Sequence, residues 1–326
     1  KWGIDFLNFR EHAFEYNTVQ GQKYNGLGFE TYTNVTNLVS NNTLKYKFSV
    51  KKHDFELLGG YSFEKKQNRN SFIRAQDYPN ENLQYAISAA TIVQAYANAL
   101  DEGTESFFGR LNYNFSNKYI MSFSGRADAS SRFGTNNRWG FFPSASMAWR
   151  IGEEKQFNLP EQINELKLRT SYGLTGNDDI TPFLYKELYG ITTYDGKSGY
   201  YPSAIPNPDL KWETTAQFNV GLDLGLFENR ISLALDYYNK QTKDLLLARP
   251  LPETSGYSSI TENIGKVENK GFEFSLTTVN LDGLFKWTTL FNLSTNSNKV
   301  KKLYNGTPID DIGRGSNRVM EGQPIG

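Results

Sequence analysis

The chain has no cysteine in its 326 residues, which excludes a disulfide framework and thiolate metal centres. Its two histidines, His12 and His53, lie far apart, and neither has the close partner that a metal site or a nucleophile relay needs. Charge of one sign is also missing. With 35 basic against 35 acidic residues the formal net charge is zero, so there is no electrostatic footprint for nucleic acid. No run of about eighteen apolar residues occurs, which excludes a transmembrane helix. A phosphate-binding glycine loop is lacking as well, because Gly125 and Gly134 read as strand and β-turn positions. No signal peptide is visible. Lys1 leads directly into Trp2-Gly3-Ile4-Asp5-Phe6, which already reads as a strand, so the chain is expected to be an internal piece of a longer polypeptide or a mature chain without its start.

Aromatic side chains are abundant, at 15% with 20 Tyr and 23 Phe, although only 38% of residues are hydrophobic and the mean hydropathy is −0.58. A soluble core holding that many rings normally carries more Leu, Ile, Val and Ala beside them. Six times, a segment of about ten residues alternates apolar and polar side chains, turns, and runs back with the same alternation. From Phe107 the odd positions read Leu111, Tyr113, Phe115, then Tyr119, Met121, Phe123, while Asn112, Asn114, Ser122, Ser124 and Arg126 take the other face. The pattern recurs in Leu44, Tyr46, Phe48 with Phe55, Leu57, and in Val220, Leu222, Leu224 with Leu233, Leu235, Tyr237. One face suits lipid and the other water, so the expected fold is an all-β, antiparallel transmembrane barrel. On this reading Leu233→Arg costs roughly 2–4 kcal/mol and Ser232→Arg much less.

Connections alternate in length. Residues 51–54, 116–118, 227–229 and 280–284 are tight, whereas 67–105, 129–138, 175–211, 244–263 and the stretch from 298 onward are longer. A middling connection, 152–164, falls on the short side by order. Outer-membrane barrels keep such a parity, with short periplasmic turns and long outer loops. Within the longest connection Leu83, Ala86, Ile87, Ala90, Val93, Ala97 and Leu100 fall near helical spacing, which predicts a short loop helix over 81–100.

Several segments resemble one family in order: RADASSRFGTNNRWGFFPSASMAWRIGEE at 126–154, LKLRTSYGLTGN at 166–177, NPDLKWETTAQFNVGLDLGLFENRISLALDYYNKQTKDLLL at 207–247, NIGKVENKGFEFSL at 263–276 and EGQPIG at 321–326. They are similar to the SusC/RagA-type TonB-dependent outer-membrane transporters of Bacteroidetes, over roughly residues 107–326; residues 1–106 share only the pattern. The resemblance implies an outer-membrane barrel of about 22 strands, an N-terminal plug contacted by TonB, a SusD-like surface lipoprotein as lid, and import of oligosaccharides or peptides without enzymatic chemistry. About twelve strands of such a barrel are expected in residues 1–326, with neither the plug nor the last strands in this chain.

Each candidate residue has a plainer role beside the functional one. The adjacent acids Glu153-Glu154, Asp178-Asp179 and Asp310-Asp311 are poor general acid/base pairs, because neighbours on a strand point to opposite faces, and no catalytic residue is expected. Asp178-Asp179 offers loop oxygens of the kind calcium takes, against the plainer reading of a solvated loop tip; no cofactor is expected. Tyr194, Tyr200, Tyr201 and Trp212 are candidate substrate contacts, since sugar sites pair flat apolar rings with placed polar groups, with the interfacial girdle as the stronger alternative for Trp212. Trp139, Phe141 and Trp149 alternate on an apolar face and read as lipid-facing or girdle. Arg126, Asp128, Arg132 and Arg138 form a candidate lumen-facing charged set supporting the plug or neighbouring strands. Two rival functions remain: a passive porin or adhesin barrel, and a soluble secreted all-β carbohydrate-binding protein whose stripes are sandwich core.

Overall fold

A computed structural model of the chain describes all residues except 17–24, 81, 90, 311–317 and 326. Long antiparallel strands dominate: β1 (Trp2–Glu15), β2 (Leu27–Val50), β3 (His53–Gln76), β4 (Thr91–Phe115), β5 (Tyr119–Ser130), β6 (Trp139–Arg150) and β7 (Ile163–Asn177). A hairpin of β8 (Leu188–Tyr194) and β9 (Lys197–Ala204) precedes β10 (Glu213–Leu226) and β11 (Ile231–Lys243). A second hairpin, β12 (Leu246–Pro250) with β13 (Ser259–Asn263), precedes β14 (Lys266–Asp282) and β15 (Lys286–Lys302), and two-residue strands β16 (Ile309–Asp310) and β17 (Arg318–Val319) pair near the end. Among the described residues eleven strands form the main sheet, where about twelve barrel strands are expected from the sequence; the others pair as separate two-stranded hairpins.

Two compact units divide the chain, Lys1–Asn42 with Tyr61–Glu105, and Thr43–Gly60 with Ser106–Gly326. In the first, the strand order is β1-β2-β3-β4. Its small core lies under the connection 77–90, where Ala75, Tyr78 and Ala86 pack with Phe14, Ile73 and Ala89. Glu30, almost fully buried, fastens that connection by accepting the Ala86 N–H at 3.0 Å and the Tyr32 hydroxyl at 3.0 Å, with Arg10 3.4 Å away.

The helix expected over 81–100 is not formed. Among the described residues the connection contains one three-residue 3-10 turn, Ala86–Ser88, and from Thr91 the backbone is already β4; positions 81 and 90 of the expected helix lie outside those residues. An i, i+4 spacing such as Val93 and Ala97 fits one face of a strand as well as one face of a helix. The β-branched run Thr91-Ile92-Val93 and the neighbouring strand β3 decide for the strand. The connection 67–105 therefore shrinks to 77–90.

In the second unit the order is β2-β3-β4-β5-β6-β7-β10-β11-β14-β15, and from β5 to β15 each strand is antiparallel to the next in this order. Tight turns at 51–52, 116–118, 227–230 and 283–285 alternate with the longer 131–138, 178–212 and 244–265, and 151–162 keeps its place on the short side. Ser116 and Asn117 take positive φ (55° and 57°), as a two-residue hairpin turn that matches strand twist demands. Burial here concentrates at the connections and the strand ends beside them: Phe133 and Leu210 are fully covered, and Val267 and Val300, near the ends of β14 and β15, cluster with Leu303 beside Leu245 and Ile309.

Candidate functional site

Register lines up alternating side chains into rows across the second unit. One row reads Tyr119, Trp149, Leu168, Leu222, Leu235, Phe274, Leu293. The next reads Leu166, Leu224, Leu233, Leu276, Phe291. Of these side chains Leu168, Leu235, Phe291 and Leu293 are exposed, Leu293 at 56%, and the rest are half-buried among their neighbours. The opposite face is polar, with a row of Ser122, Ser146, Ser171, Asn219, Tyr238, Gly271 and Asn296. Tyr238 lies over Gly271, where an added Cβ would sit 2.7 Å from its hydroxyl, and donates to Asn296 Oδ1 at 3.1 Å.

Charges on the polar face neutralise one another. Arg169 grips Asp223 with two hydrogen bonds, Nε to Oδ2 at 2.9 Å and Nη2 to Oδ1 at 2.7 Å, and its Nη2 also donates to Asp236 Oδ2 at 3.0 Å. Lys167 Nζ lies 2.7 Å from the same Asp223. Gly221, between Arg169 and Asp236 in the ladder, makes the reach possible: a Cβ there would sit 2.3 Å from Asp236 Oδ1 and 2.9 Å from the Arg169 guanidinium carbon. Paired, planar contacts of this kind fix geometry as well as charge. A second cluster is built on Glu56, which meets Lys45 at 2.9 Å and Lys47 at 3.0 Å and accepts from Asn112 at 3.3 Å. Sequence reasoning missed both clusters. Alternation alone would have put these residues on the polar face, but not beside each other.

The expected charged set divides. Arg126 and Asp128 share β5 and pair at 2.5 Å, and Arg126 also donates to Ser106 Oγ at 2.7 Å and covers the Phe108 ring at 5.4 Å, which ties β5 to β4. Arg132 and Arg138 lie in the connection 131–138 instead of on the sheet. Arg132 donates to the Asp178 carbonyl and to Asp179 Oδ1, both at 3.1 Å, so a guanidinium occupies the carboxylate considered for calcium. The Arg138 carbonyl accepts the Trp212 indole N–H at 2.9 Å. Among the described residues no group of three or more His, Cys, Asp or Glu could hold a metal ion.

The aromatic candidates do not converge. Tyr194 and Tyr201 lie on one face of the β8/β9 hairpin, and Tyr200 lies on the other with Tyr189 and Ile191. All three are open to solvent, Tyr194 at 84%. Trp212 is elsewhere and is not a girdle residue. It precedes β10, is half-buried, and packs on Phe133 at 5.4 Å and Phe142 at 5.4 Å, beside the polar face. A buried indole needs a partner for its N–H, and the Arg138 carbonyl supplies one there. Trp139 and Phe141 are exposed on the apolar face as expected, and Trp149 stacks beside Tyr119 at 6.2 Å. His12 meets the Gln84 carbonyl at 3.0 Å and His53 the Tyr113 hydroxyl at 2.8 Å, both in packing roles. Of the acidic pairs, Glu154 binds Lys118 and Tyr119; Asp311 and the final Gly326 of the 321–326 motif lie outside the described residues.

The profile of the family described as TonB dependent receptor-like, β-barrel, matches residues 1–319. The chain belongs to this family. TonB-dependent receptor P3 of Formosa agariphila is 40% identical over 319 residues, covering 92% of this chain and 32% of P3. TonB-dependent receptor SusC of Bacteroides thetaiotaomicron is 33% identical over 325 residues, covering 94% of this chain and 32% of SusC. The RagAB peptide transporter structure superposes with a TM-score of 0.91 at 28% identity, over 99% of this chain and 37% of that one. The chain thus spans about a third of the length of these curated relatives. The resemblance to SusC/RagA-type barrels and the all-β, antiparallel barrel fold both hold.

Proposed function

We propose that the chain is the wall of a TonB-dependent importer in the outer membrane of a Bacteroidetes-like bacterium, taking up oligosaccharides or peptides beneath a SusD-like lipoprotein. The carrying observation is the two-faced sheet, with exposed apolar rows on one side and hydroxyl, amide and mutually neutralised charged groups on the other. A sandwich core would cover the apolar face; lipid solvates it instead. Residues 1–326 then form one partial barrel domain, and the plug and remaining strands belong to the rest of the polypeptide. Arg126 and Asp128 stiffen the wall beside the plug, while Arg132 and Arg138 order the outer connections. Tyr194, Tyr200 and Tyr201 meet substrate or lid from the outer hairpin, and Trp212 holds its base. No reaction is catalysed; selection and energised release are the whole task. The relatives support the class: one is named SusC, and the RagAB structure is titled a peptide transporter.

The test is purification of the full-length protein from native membranes, together with uptake in cells with and without TonB. A copurifying surface lipoprotein and uptake that stops without TonB are expected. Uptake indifferent to TonB would replace this reading with a passive porin.

A further inference from the structure

Pro143 interrupts the wall. The β6–β7 ladder runs from Arg150↔Lys167 to Ser144↔Gly173 and stops there, because the next residue of β6 is a proline and has no N–H to donate. Where the strands part, Phe142 fills the space. Added Cβ atoms at Gly140 and Gly176 would meet its ring at 2.5 Å and 2.1 Å, so both positions give up a side chain to seat one ring. Phe142 also lines a groove of about 570 Å³ together with Ser124, Ser144, Gln217 and Asn219. That volume falls within the usual range of about 300–1,000 Å³ for small-molecule sites.

We propose that this groove is a sugar subsite in the wall, holding one or two units of a neutral oligosaccharide against Phe142. The inference rests on the importer reading above. A sugar ring presents a C–H face suited to a phenyl ring and hydroxyls suited to amides and serines. Those polar groups are already positioned: Gln217 Nε2 donates to Asn219 Oδ1 at 2.8 Å, Asn219 Nδ2 to Ser171 Oγ at 3.0 Å, and the Ser124 and Ser144 hydroxyls meet at 2.7 Å. The charges at the rim, Arg126 and Asp128, satisfy each other and leave none over for the termini of a peptide. Where β6 and β7 part, Phe142 lies over the Cβ positions of Gly140 and Gly176 on the polar face and gives the groove its apolar surface.

The test is calorimetry on the full-length receptor in detergent, with maltohexaose, laminarihexaose, cellohexaose and xylohexaose as probes beside a set of uncharged hexapeptides. One of the sugars is expected to bind, and Gln217→Ala and Asn219→Ala should each weaken it about tenfold. Phe142→Leu should do the same, whereas Ser275→Ala, elsewhere on the polar face, should not. Heat-modifiable migration on gels checks that each variant is folded. Sugar binding untouched by the wall variants would overturn the subsite. Binding of hexapeptides alone, or of no probe at all, would overturn the sugar assignment. TonB-dependent uptake measured in parallel separates the two ideas: energised uptake with indifferent wall variants defeats only the subsite, and wall-dependent binding without energised uptake defeats only the importer.

Discussion

Gly221 and Leu233 show how one position can matter through what stands next to it in the ladder. Gly221 leaves room for the Arg169 guanidinium to reach Asp236. Gly221→Ala is expected to cost about 1–3 kcal/mol by crowding that contact, read as a lower urea midpoint in detergent. Leu233 lies between Leu224 and Leu276 on the apolar face, and Ser232 between Gly225 and Thr277 on the polar face. Leu233→Arg should cost about 2–4 kcal/mol and Ser232→Arg much less, measured in the same way. Equal costs would mean that the two faces do not meet different solvents, and the reverse order that they are assigned to the wrong sides.

Among the elements, the short connections are held by specific contacts rather than by length alone. Glu154, in the connection 151–162, accepts from Lys118 Nζ at 2.8 Å and from the Tyr119 hydroxyl at 2.7 Å, joining that connection to the 116–118 turn. The Lys118 ammonium first, and then the Tyr119 hydroxyl, hold the Glu154 carboxyl below the ordinary carboxylate value. A depressed pKa means that this stabilisation is complete above pH about 4.3 and is lost as pH falls through the lower folded value. Urea midpoints between pH 7 and pH 3 should therefore fall less steeply for Glu154→Gln than for the parent protein, with the parent's advantage present only at the higher pH. Pairing limits are also decided by single residues, since the β6–β7 ladder covers Ser144 to Arg150 and stops at Pro143 without ending the pairing of β6 with β5.

For the molecule as a whole, the alternation of connections predicts sidedness. Residues 1–326 hold no cysteine, so a single cysteine introduced among them has no competitor within this segment. In intact cells Ser198→Cys, in the β8/β9 hairpin, should react with a membrane-impermeant maleimide, while Lys52→Cys and Glu228→Cys, in short turns, should react only after the outer membrane is opened. The reverse pattern would invert the orientation.

Alternation, turn positions and the ordered family motifs were legible along the chain because they depend on residues within a few positions of each other. So were the apolar placements of Trp139, Phe141 and Leu233. The helix over 81–100 was misread because i, i+4 spacing fits a strand equally well. The Arg169–Asp223–Asp236 cluster, the turn of Trp212 toward Phe142 and the seating of Phe142 over Gly140 and Gly176 were not legible at all. Each joins residues on different strands or connections, Arg169 and Asp236 being 67 positions apart. Such contacts depend on register, and a slip of one residue would send every partner to the other face. Local chemistry chose strands and faces; the pairing of strands chose which side chains meet.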